Sequence, residues 1–147
     1  MRIVSACAAA VWGAVFALVH VYWLVGGRLF LPDGLSVVGN LPLLIIDIIA
    51  IPLCTGAAAV ALSLVQGWGE RFSRLLRLVG AWGIAAVCVV HALPSAVDWI
   101  ALALGKLDVA ALDSMARFAT FGYEPFFLLG GVLFGLAALG HQRRVHP

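Results

Sequence analysis

Four long apolar runs, separated by shorter and more polar stretches, make up most of this chain. They cover about residues 3–25, 41–65, 75–104 and 123–140. About 20 helical residues cross a ~30 Å hydrocarbon core at 1.5 Å each, so each run is predicted to be a membrane-spanning helix. The first run continues unbroken from Ile3 to about Val25. That is longer than the apolar stretch of a secretory signal peptide, so it is expected to be retained.

The breaks between runs carry turn chemistry. Gly26-Gly27-Arg28 stops the first helix, and Pro32-Asp33-Gly34 marks a turn in the connection to Asn40. The apolar residues of that connection predict that it lies at the membrane interface. Gln66 to Arg77 is polar and basic. In the third connection, Gly105 to Gly122, Asp108 is placed to cap a short surface helix, and Asp113 and Arg117 are spaced as an i,i+4 pair. Tyr123-Glu124-Pro125 reads as the start of the fourth helix. Proline suits a first helical position, and an acid there complements the helix dipole.

Composition agrees with a lipid solvent. The chain has 147 residues, of which 64% are hydrophobic and 11% charged. Soluble domains carry about 25% charged residues. The expected fold class is therefore all-α: an integral membrane four-helix bundle forming a single transmembrane domain over residues 1–147. A net charge of +2, with no basic patch among aromatics, excludes a nucleic-acid partner.

Charge also predicts orientation. Arg2, Arg71, Arg74, Arg77, Arg143 and Arg144 fall on one side of the four spans, and Arg28, Lys106 and Arg117 on the other. The positive-inside rule places the N-terminus and C-terminus in the cytoplasm.

Against this apolar background a few residues stand out. Cys88, His91, Ser95 and Asp98 follow steps of three and four, so they share one helix face. Pro94 leaves the carbonyl of Val90 without its helical donor, next to His91. His20 sits in the first span, and Asp47 is the only ionisable residue of the second apart from Cys54. Glu124 opens the fourth. Ionisable groups at membrane depth are costly unless they face protein or water. All five, His20, Asp47, His91, Asp98 and Glu124, fall in the outer half of the membrane or at its edge. The expected site is a polar pocket there. His91, His20, Glu124 and Asp47 are its acid–base candidates, because imidazole titrates near neutrality and burial tunes a carboxylate. Trp23, Arg28, Ser95, Asp98, Arg117 and Tyr123 are its candidate ligand-binding residues.

Other chemistries find less support. Cys7, Cys54 and Cys88 form no CxxC pair, and there is no HxxxH, HExxH or GxSxG motif. No metal site and no cofactor are expected. Gly131-Val132-Leu133-Phe134-Gly135 is a GxxxG step, a close-packing face for a second copy or a membrane partner.

His20-Val21-Tyr22-Trp23-Leu24-Val25-Gly26-Gly27 and Tyr123-Glu124-Pro125-Phe126-Phe127-Leu128-Leu129-Gly130-Gly131, with the preceding Arg117 to Gly122, carry a resemblance. The chain resembles a bacterial family of small four-helix membrane proteins, domain of unknown function 3995. The resemblance spans nearly the whole chain and implies a multi-pass protein of the bacterial cytoplasmic membrane. It implies no catalytic roles, so whether the protein is an enzyme stays open.

Three functions are compatible with these features. The first is binding of a small amphiphile or lipid in the outer-leaflet pocket, with or without acid–base chemistry. The second is a non-catalytic accessory or assembly subunit. The third is a small proton-coupled transporter that works as an oligomer.

Overall fold

The computed structural model describes residues 2–143. Arg144 and His146 of the basic tail lie outside the described residues. Helix α1 spans Arg2–Leu24, α2 Leu41–Ser63, α3 Arg74–Ala103, α4 Ser114–Phe118 and α5 Glu124–Gln142. A π-helical turn, Ala119–Tyr123, joins α4 to α5 without a break. There are thus 4 helices long and apolar enough to cross a membrane, the last running from Ser114 to Gln142. No strand occurs among the described residues. The protein is an all-α, membrane-spanning four-helix bundle.

In lipid, helices associate through close packing, because the tails are as apolar as leucine. Small residues set the contacts here. A Cβ on Gly13 would lie 2.9 Å from the carbonyl oxygen of Cys54, so α1 and α2 touch backbone to backbone. A Cβ on Gly130 would strike the ring of Trp12 at 2.5 Å, and one on Gly131 would come within 2.9 Å of Val89. These adjacent glycines let α5 pack against α1 on one side and α3 on the other. The core between them is alanine and aromatic: Ala9, Trp12, Phe16, Ala85 and Phe134 are buried. Trp12 stacks on Phe126 at 5.1 Å, and Phe16 meets Phe127 edge-on at 5.2 Å.

α1 packs along α2 and α5, and α5 along α3, whereas α2 and α3 meet at few points. The helices therefore form a ring, α2–α1–α5–α3, that stays parted along its α2–α3 side.

Helix ends follow local chemistry. Asn40 accepts from the Leu43 amide at the start of α2, and Ser73 accepts from Leu76 at the start of α3. Asp108 caps a turn through Ala110 N. Pro52 and Pro94 lie within continuous helices. Both are exposed, so each ring points away from the packed core.

Two expectations need correction. Asp113 and Arg117 do not pair. Asp113 caps α4 by accepting from Ala116 N at 2.7 Å, and the Arg117 guanidinium donates to the carbonyls of Leu112 and Ala110. The fourth span also begins at Ser114, nine residues before Tyr123 (123 − 114 = 9). Pro125 still lies in the first turn of α5, where an acid followed by proline is favoured. It sits just after a π turn, in which the Glu124 amide bonds to Ala119 five residues back. One extra residue in the turn changes the register at which the chain meets the proline, which lacks an N–H.

Candidate functional site

The parted side of the ring is a groove of about 610 Å³. Its floor is Trp12 and Phe16 of α1 and Phe127 of α5, and its rims are Ile46, Ile49 and Leu53 of α2 and Val79, Ile84 and Val87 of α3. At one end it is bordered by His20, His91 and Tyr123. Cys54 and Cys88 also line it, both as free thiols. Its wall is otherwise almost wholly apolar, and no lysine or arginine contributes to it.

Both histidines are held from behind. His20 Nδ1 lies 2.5 Å from Asp47 Oδ1, with both residues buried. The contact ties α1 to α2. His91 Nδ1 lies 3.0 Å from Glu124 Oε2, tying α3 to α5. In each pair the carboxylate takes Nδ1 and leaves Nε2 uncommitted. His91 stacks flat on Phe127, with centroids 3.8 Å apart, and Tyr123 meets it at 5.6 Å. His20 is wedged between Phe16 at 4.6 Å and Trp23 at 5.3 Å. Asp47 Oδ2 is buried and has no hydrogen-bond partner.

The π turn helps place Glu124. In a regular α-helix the Thr120 carbonyl would accept from the Glu124 amide. That amide bonds instead to Ala119. The next residue, Pro125, has no N–H to offer. Trp99 of α3 fills the gap, with Nε1 donating to Thr120 O at 2.7 Å. The Thr120 hydroxyl in turn reaches Asp98 Oδ2 at 3.5 Å. A buried carbonyl needs a partner, so this bond pins the irregular turn to α3.

The structure brings together His20, Asp47, His91, Glu124 and Tyr123. The other sequence candidates lie elsewhere. Trp23 is buried behind His20 and donates to Leu29 O at 2.8 Å, which fastens the first connection. Ser95 is buried in α3 outside the groove wall, and Asp98 serves Thr120. Arg28 is exposed on the first connection, and Arg117 is committed to its own loop. Neither lines the groove, so the expected arginine mouth is not formed. The Gly131–Gly135 step is used inside the chain: Gly131 is buried against α3, and a Cβ on Gly135 would touch Trp82 of the same helix. Trp12, Phe16 and Phe127 as groove floor, and Trp99 and Thr120 as supports, were missed in the sequence. The density of aromatics at helical spacing in the first and fourth spans was the available signal. Among the described residues, no group of three metal-ligating side chains converges.

A sequence model of the family described as "Protein of unknown function (DUF3995)" matches residues 13–134. The chain belongs to this family. The matched span contains both histidine–carboxylate pairs and the π turn. No curated protein and no solved structure matches the chain.

Proposed function

We propose that this protein binds a small amphiphile, an isoprenoid or other lipid, through the groove between α2 and α3, and that His91 acts on the polar head. One observation carries this reading. Both histidines border an apolar groove, and each has Nδ1 occupied by a carboxylate from another helix. With the carboxylate ionised, Nδ1–H donates to it, and the Nε2 lone pair remains to accept a proton or a hydrogen bond from a ligand. The carboxylate orients the ring and fixes which nitrogen faces the groove, the positioning that general acid–base work requires. The groove opens sideways, so a ligand dissolved in the bilayer enters without crossing water.

The wall also bears on ligand class. Without lysine or arginine it has nothing to balance a phosphate or carboxylate head. A neutral head, a hydroxyl or carbonyl, suits the His91 imidazole and the Tyr123 phenol. The positive-inside rule places the site in the outer leaflet, with both termini cytoplasmic, in a bacterial plasma membrane. The transporter reading is less well supported, since its ionisable side chains should extend along the groove. Here the histidines and Tyr123 are confined to one end.

Mass spectrometry of the gently purified protein tests the reading. Wild type is expected to retain a neutral apolar compound that His91→Ala loses, while the variant still purifies as a folded protein. Equal lipid content in both, or a compound retained only through unspecific detergent carry-over, would refute it.

A further inference from the structure

The end of the bundle away from the histidines has its own polar cavity, of about 190 Å³. Leu64, Gln66 and Glu70 of the second connection, Arg74 and Arg77 of α3, and His141 of α5 line it. Three helix-terminal carbonyls are already satisfied there. Arg77 Nη1 donates to Ser63 O at 3.1 Å, Arg74 Nη2 to Gln142 O at 3.0 Å, and His141 Nδ1 meets Leu64 O at 3.0 Å. Capping accounts for one nitrogen of each arginine.

It does not account for the rest. Arg77 Nε is buried and has no hydrogen-bond partner. Among the described residues, neither guanidinium has a carboxylate oxygen within 4.0 Å, although Glu70 stands on the cavity wall. Two guanidiniums without a carboxylate partner beside a cavity, one with a buried donor left over, suit an anionic acceptor from outside the chain. Trp68 and Phe72, exposed on the same connection as Glu70 and paired edge-on at 6.3 Å, are residues of the kind that mark headgroup level.

We infer that this cavity binds a phosphate group, carried in the membrane by an anionic phospholipid. Arginine forks match phosphate oxygens with two parallel bonds, which a lysine does not do. The site is separate from the groove and does not depend on the function proposed for it.

The test uses full-length, delipidated protein in neutral detergent and follows its thermal unfolding midpoint. Dioleoylphosphatidylglycerol is expected to raise the midpoint. Dioleoylglycerol, which has the same chains and no phosphate, is expected to leave it unchanged. Arg74→Gln and Arg77→Lys should each need about tenfold more phosphatidylglycerol for the same rise. Arg71→Gln removes an equal charge outside the cavity and should respond like wild type. Arg74 is exposed, so its variant carries the test alone should Arg77→Lys not fold. A rise produced equally by inorganic phosphate at matched ionic strength, and lost in the same variants, keeps the phosphate site and assigns its ligand to solution. The inference is overturned if phosphatidylglycerol acts on all four proteins alike, or if Arg71→Gln loses as much as Arg74→Gln.

Discussion

His20 and Asp47 are enclosed almost completely, whereas His91, bonded to Glu124, keeps 41% of its side chain exposed. The residue types match, and the bond uses the same ring nitrogen. The surroundings separate them. His20 is sealed by Phe16 and Trp23, so the pair works first as a tie between α1 and α2. His91 is covered on one ring face, by Phe127, and is otherwise open toward the groove. Of two chemically equal pairs, the enclosed one is the better strut, and the open one is where a ligand can arrive. A group that contributes much to stability by burial has, for the same reason, little access to a substrate.

Substitutions can break this contrast. The largest effect is expected for Asp47→Ala. It leaves a buried imidazole without its partner and should cost about 3 kcal/mol, near the lower figure for breaking a buried ion pair. That stands well above the roughly 0.6 kcal/mol average of interhelical polar contacts in membranes. Unfolding titration in sodium dodecyl sulfate measures it, and a loss near that average would show that the enclosed pair is no strut. Trp99→Phe comes next. It strands the Thr120 carbonyl beside the π turn and should cost about 1–2 kcal/mol, the range for an unsatisfied buried acceptor. Because that turn places Glu124, ligand retention should fall as well. Stability loss with full retention would separate the turn from the site. His91→Ala should cost less than Asp47→Ala in the same titration, since His91 is open toward the groove and gives up less packing. A loss as large as that of Asp47→Ala would erase the distinction between the pairs.

The same contrast bears on how far the site was legible in the residues. Helical spacing put His20, Asp47, His91 and Glu124 on inward faces, because an ionisable group facing lipid is too costly to be tolerated. Which histidine meets which acid was not legible, since helix order around a bundle leaves no local mark. Arg117 was misplaced because a backbone carbonyl five residues away competes as well for a guanidinium as a pocket does. Pro125 was legible as a helix start, since α5 begins at Glu124, but the π turn that leads into it was not. That turn depends on Trp99, which lies 21 residues from Thr120 in sequence.

By itself the sequence determined the four spans, their all-helical character and the inward facing of the ionisable residues within them. Those follow from the cost of exposing backbone and charge to hydrocarbon, and each span settles that cost alone. The tertiary structure decided the rest. Gly13, Gly130 and Gly131 set which helices approach closely, so the ring stays parted between α2 and α3. That parting leaves one histidine enclosed and the other open. Close packing is a property of pairs of surfaces, and no single helix carries the information to specify it.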